Sequence, residues 1–242
     1  MGPLGEQQAK FPLRFAKFAF FGERPSRTRP TVVRNGTVTL VDLGSGPIGI
    51  TCAHVIGAYR NLKNTHENVV FQIGNIEVDP LAILIAEHAD LDLATLRLSE
   101  DLIRAITGES EIGSCVFRPV SWPSPPVQAD EGAVFGGFPE ILREVPEYDE
   151  LVFPSWSSGG SRVTTAYDDR FSCQFEREHW VSNFGSQHHM ELRALSGLSG
   201  GPAFIHRGLH FDFAGIIYEF SAKFDVLFFR PSCLINADGT IG

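Results

Sequence analysis

The stretch Gly197-Leu198-Ser199-Gly200-Gly201-Pro202 decides how the rest of the chain is read. A serine hydroxyl is a poor nucleophile at its free pKa and needs a base to take its proton. An oxyanion formed by its attack needs backbone N–H donors, and glycines let the chain turn tightly enough to present them. The amides of Gly197 and Ser199 are the candidate donors. A Gly-rich turn with an incidental serine is the plain alternative, so the segment gains weight only if a base and an orienting acid occur elsewhere.

Two upstream segments supply candidates. Ile50-Thr51-Cys52-Ala53-His54-Val55 places His54 just after a strand end in an apolar setting, where an imidazole must find partners. Asp90-Leu91-Asp92-Leu93-Ala94-Thr95-Leu96 places two acids beside an apolar run. A buried acid is costly unless paired, and holding the second ring nitrogen of a base is one way to pair it. Asp90 and Asp92 would share a face on a strand, so patterning leaves both open. The Leu-Ala-x-Leu that directly follows Asp92 favours it.

The three segments together resemble the signature of trypsin-like, chymotrypsin-fold serine peptidases. Thr51-Cys52-Ala53-His54 is similar to their Thr-Ala-Ala-His, and Asp92-Leu93-Ala94-Thr95-Leu96 to their Asp-Ile-Ala-Leu-Leu. The serine hexapeptide resembles their Gly-Asp/Asn-Ser-Gly-Gly-Pro, and the order His, Asp, Ser is theirs. Gly137-Phe138-Pro139 is similar to the Gly-Tyr-Pro turn of bacterial members related to the HtrA protease domain. The resemblance spans residues 31–235. It implies an all-β fold of two packed six-stranded antiparallel β-barrels, the first over about 31–105 and the second over about 126–242, preceded by a short N-terminal helix or arm. It also implies an endopeptidase working through an acyl-enzyme, with Ser199 as nucleophile, His54 as base, Asp92 as orienter and the Gly197 and Ser199 amides as oxyanion hole. The substrate pocket would be lined by Arg193, Ile217 and Tyr218. An inward Arg193 would favour an acidic side chain, and Tyr218 would favour a small one.

The departures matter. Val55 follows His54 where the digestive enzymes carry a disulfide cysteine, and Leu198 precedes Ser199 where their zymogens carry an activating Asp. Activation by capture of a freshly cut N-terminus is therefore not expected. No PDZ-like segment is expected after the peptidase unit.

Composition sets the frame. The 242 residues hold 24 Gly and 15 Pro, with apolar residues in short runs, as expected of strands joined by turns. A net charge of -9 argues against nucleic acid as a partner. Residues 1–30 nevertheless carry six Lys/Arg against Glu6 and Glu23, interleaved with Phe11, Phe15, Phe18, Phe20 and Phe21. They are expected to form a basic, aromatic arm, helical over about 6–21, that lies on an acidic body or meets a regulatory partner. Cys52, Cys115, Cys173 and Cys233 form no CxxC pair, which suggests a reducing, cytoplasmic setting, and no apolar run reaches membrane-spanning length. His188-His189 and His206-x-x-x-His210 invite a metal reading. The latter spacing suits a helix face rather than the strand and turn expected there, so neither metal nor cofactor is expected. The remaining alternative is a catalytically idle module of the same fold that captures a protein partner.

Overall fold

The computed structural model describes residues 3–24, 32–108, 116–147, 150–158, 160–175, 180–184 and 195–242. Helix α1 (Pro3–Lys10) and a 3-10 turn (Pro12–Phe15) lead into strand β1 (Ala16–Glu23). There follow β2 (Val33–Asp42), β3 (Pro47–Thr51), α2 (Ala53–Thr65), β4 (Val69–Ile73), β5 (Ile76–Glu77), β6 (Leu84–His88), β7 (Leu93–Arg97) and α3 (Glu100–Gly108). The second half holds β8 (Gly132–Gly137), β9 (Glu144–Glu147), β10 (Glu150–Val152), β11 (Ser155–Ser158), β12 (Ser161–Ala166) and β13 (Phe171–Gln174). It ends with β14 (Trp180–Phe184), β15 (Pro202–Arg207), β16 (His210–Ser221) and β17 (Val226–Pro231).

The first sheet runs β5-β4-β1-β2-β3-β7-β6, with every pairing antiparallel. It has one strand more than the expected six, because Gly74, at a φ of +57°, turns the chain so that Ile76–Glu77 folds back on β4. In the second half β8 pairs with both β15 and β12, which closes the ring β8-β15-β16-β17-β13-β12 into a six-stranded antiparallel barrel. Its core is aromatic, with Phe135, Trp156, Phe171 and Phe229 at most 1% exposed.

The expected arm is corrected by the structure. Residues 16–23 are not an appendage and not helical. They form a central strand, Phe20 opposite Asn35 and Gln72. The spacing of Phe11, Phe15 and Phe18 suits a helix face, but β1 is buried on both sides at all but one position, and tertiary burial overrides that local pattern. Part of the stretch expected to be an arm thus belongs to the first sheet.

The turn before β1 joins the two halves. Phe11 stacks on Phe211 at 4.2 Å and meets Phe204 edge-on at 5.1 Å, while Phe15 meets Phe117 at 5.1 Å. Ser157 Oγ donates to the Ala9 carbonyl. Phe117 in turn bridges back to β2, donating to Leu40 O and accepting from Asp42 N. Such ring pairs add to area burial. Phe11→Ala is expected to cost about 2 kcal/mol, below the fully buried Phe range because Phe11 is partly exposed. A lowered urea midpoint with unchanged slope would register it.

Among the described residues no helix is long and apolar enough to cross a membrane.

Candidate active site

Ser199 sits where two tight turns overlap. Leu198 N donates to Leu195 O at 3.2 Å, and Gly201 N to Leu198 O at 2.8 Å. The third residues of these turns, Gly197 and Gly200, have φ of +92° and +91°, the type II pattern that only glycine enters without strain. A Cβ at Gly197 would lie 2.5 Å from both Asn35 Nδ2 and Phe138 O. The glycines are thus demanded by conformation and by space.

The first sheet grips this loop through polar side chains of β2 that point out of its own ladder. Five consecutive carbonyls are held. Ser196 O accepts from Glu140 N at 2.7 Å, Gly197 O from Thr37 Oγ1 at 2.8 Å, and Leu198 O from Gly201 N. Ser199 O accepts from Thr37 N at 2.9 Å and Gly200 O from Thr39 Oγ1 at 2.6 Å. In a planar trans peptide the N–H points opposite to the preceding C=O. Clamping Ser196 O and Leu198 O therefore fixes where the Gly197 and Ser199 amides point, and neither bonds a backbone carbonyl among the described residues. Thr37 is the hub, since its Oγ1 also accepts from Phe138 N at 3.1 Å. Thr37→Val, nearly isosteric, should strand two buried partners and cost about 1–3 kcal/mol, read as a lowered melting temperature.

His54 lies in the first turn of α2, just after the capping position of Cys52. Asp92 accepts twice from it. Asp92 Oδ1 takes the His54 backbone N–H at 2.8 Å, and Oδ2 lies 2.6 Å from Nδ1. A carboxylate at a helix N-terminus is favoured by the unpaired amides and the helix dipole. With Nδ1–H facing the carboxylate, this network assigns the neutral tautomer that leaves Nε2 as acceptor. The imidazole is half exposed and the carboxylate largely sheltered. The helix start and the serine turn both border Gly36: a Cβ there would lie 3.0 Å from Val55, the neighbour of His54, and 3.5 Å from Ser199 O.

Asp90 does not share the position of Asp92. Residues 89–92 form a turn, with Asp92 N donating to Ala89 O and Asp92 at a φ of +51°, so two-residue strand alternation does not apply. Asp90 instead offers its carbonyl to Arg230 Nη2 at 3.3 Å.

Cys52, two residues before His54, is wholly buried and donates to Ile217 O at 3.4 Å. Burial, with Asp92 nearby, pushes its thiol pKa well up. The same Ile217 carbonyl accepts from Gly200 N at 2.8 Å, so one backbone oxygen ties the helix start to the serine turn.

Of the expected pocket residues, the Ile217 side chain lies in the second core and presents its backbone to the site. Tyr218 is partly buried beneath the Arg230 guanidinium, whose Cζ is 4.0 Å from the ring centre. Arg193, like Cys115, His188 and His189, lies outside the described residues. His206 and His210 fall on opposite sides of the β15–β16 turn, and His210 pairs with Asp212 at 3.4 Å. Sequence reasoning missed Asn35, Thr37, Thr39 and Arg230. Their polar side chains sit in strands, but their partners are remote in sequence.

No protein-family profile and no curated protein matches the chain. Among solved structures it is similar to the active form of the Rv3671c protease from M. tuberculosis, at 12% identity and a TM-score of 0.50, over 96% of this chain and 82% of that one. It is also similar to a variant of the tobacco etch virus protease, at 11% identity and a TM-score of 0.45, over 89% and 73%. The first likeness extends to the fold, and the chain has the expected all-β, chymotrypsin-like architecture.

Proposed function

We propose that this chain is a serine endopeptidase that hydrolyses peptide bonds through an acyl-enzyme. The observation that carries the reading is the doubly accepting contact of Asp92 with His54, beside a serine turn whose amides are oriented by clamped carbonyls. Ser199 Oγ attacks the substrate carbonyl while His54 Nε2 takes its proton. The amides of Gly197 and Ser199 receive the oxyanion, and His54 returns the proton to the leaving amine. Water then repeats the sequence on the ester and frees Ser199. Asp92 holds the tautomer and the ring, and stabilises the imidazolium when it forms.

The enzyme is read as a regulated, cytoplasmic one. Leu198 is fully buried and apolar, so the charge-capture switch of trypsin-like zymogens has no counterpart at that position. The identity of the peptide substrate and its side-chain preference would come from a proteome-wide cleavage profile of the natural chain against Ser199→Ala.

A fluorophosphonate probe tests the reading directly. Covalent labelling of Ser199 that disappears in Ser199→Ala and His54→Ala supports it. A folded chain that never labels, with partners supplied, would mark an idle binding module instead.

A further inference from the structure

We infer that Cys52, His54 and Asp92 form a site for a thiophilic divalent cation, with Zn²⁺ the prime candidate, whose occupancy switches the Ser199 centre off. The inference rests on the hydrolase reading for its consequence but not for the site itself. One donor atom from each residue, a thiol sulfur, a ring nitrogen and a carboxylate oxygen, lies within 4.8 Å of the other two. No other trio of this kind occurs among the described residues. Sulfur, imidazole and carboxylate together make a borderline-soft donor set that suits Zn²⁺ and does not suit Mg²⁺ or Ca²⁺.

Bond lengths of about 2.0–2.3 Å to such donors put them roughly 3.3–3.8 Å apart in a tetrahedral site. The cluster must therefore tighten at its widest edge and open between His54 and Asp92, now 2.6 Å apart. That geometry calls for side-chain rotation of these two, and the half-exposed imidazole offers the ion its approach. Sequence spacing hides the site because Asp92 comes from a distant turn.

The chemical consequence does not depend on which ring nitrogen binds. A cation on Nε2 takes the lone pair that must accept the Ser199 proton. A cation on Nδ1 displaces the proton there onto Nε2, and the same lone pair is lost. In either case one proton leaves, from the Cys52 thiol, and no electron transfer is involved. Binding should therefore tighten about tenfold per pH unit while the thiol remains protonated in the free protein. The charged groups facing that thiol are Asp92 from the turn before β7 and Arg230 from β17. Burial holds the thiol protonated through the neutral range, so the dependence should span it. A reversible metal block would supply the control that Leu198 denies to proteolytic activation.

The test uses the full chain as Ser199→Ala, titrated calorimetrically with Zn²⁺ between pH 6.5 and 8, and with Co²⁺ followed by near-UV absorption. Expected are one equivalent of Zn²⁺, a proton released per ion, and a thiolate-to-Co²⁺ band. Adding Cys52→Ala should remove the band and weaken Zn²⁺ at least about 100-fold. Alanine is the residue that stands there in the motif this segment resembles, so the variant should fold, and a thermal melt checks it. In the natural chain Zn²⁺ should block fluorophosphonate labelling and a chelator should restore it, while Mg²⁺ does neither. Unchanged Zn²⁺ affinity in Cys52→Ala, or a missing band, would overturn the site. Full labelling in saturating Zn²⁺ would overturn the switch. A chain that labels under no condition refutes the hydrolase reading, and the calorimetric arm still decides the site.

Discussion

Asp92→Asn is expected to lower kcat for peptide hydrolysis about 10⁴-fold while shifting the melting temperature little. The amide keeps the shape of the carboxylate and one oxygen for the His54 backbone N–H. Its NH₂ group then faces Nδ1, 2.6 Å from where Oδ2 now lies. Two donors cannot face each other, so the ring must carry its proton on Nε2, and the atom meant to accept from Ser199 becomes a donor. The charge that would stabilise the imidazolium is lost as well. Fluorophosphonate labelling should slow in step with hydrolysis, and ¹⁵N chemical shifts of His54 should report the changed tautomer. A loss of less than about tenfold would remove Asp92 from the role assigned to it. Asp90→Asn should leave kcat near its natural value, since that residue meets the site region through its carbonyl.

Gly200→Ala should be strongly destabilising. Gly200 has a φ of +91°, and its new Cβ would lie 2.0 Å from Thr37 O, 2.7 Å from Thr51 Oγ1 and 3.0 Å from Thr51 Cα. Two of these are backbone atoms, so no rotamer change relieves them. The glycine cannot retreat either, because its N–H is bonded to Ile217 O and its carbonyl to Thr39. Strain and overpacking together should cost roughly 3 kcal/mol or more. That corresponds to a melting temperature lower by roughly 6–12 °C in a domain of this size. Gly57 is the control. It lies in α2 with nothing within 4 Å of an added Cβ, so Gly57→Ala should be neutral or stabilise by about 0.5–1 kcal/mol. Equal melting temperatures for the two variants would refute the steric account.

The serine turn was legible because its demands are local. Positive φ at Gly197 and Gly200, which bracket Leu198 and Ser199, writes itself into a hexapeptide. His54 and Asp92 were legible only as members of the set, since each alone has a bland explanation. What the sequence hides is of two kinds. Asn35, Thr37 and Thr39 look like ordinary strand residues, and their bonds to Phe138, Gly197 and Gly200 exist only after two sheets have packed. The second kind is a conflict of periods. The stretch over about 6–21 reads as a short helix, yet residues 16–23 form β1, which is buried on both sides, and alternation vanishes from such a strand. Patterning left both Asp90 and Asp92 open for a related reason, because strand alternation does not apply to residues that form a turn.

The aromatic turn that precedes β1 also orders events during synthesis. Phe11 and Phe15 are made before any of the strands, and β1 can pair with β2 and β4 as soon as those strands have left the ribosome. The rings wait longer. Their partners Phe204 and Phe211 flank the β15–β16 turn after Ser199 and are made long after them. A nascent chain halted before that point would lack the ring contacts of Phe11 and Phe15 with Phe204 and Phe211. The aromatic turn before β1 is thus completed only once the segment that follows Ser199 has been made.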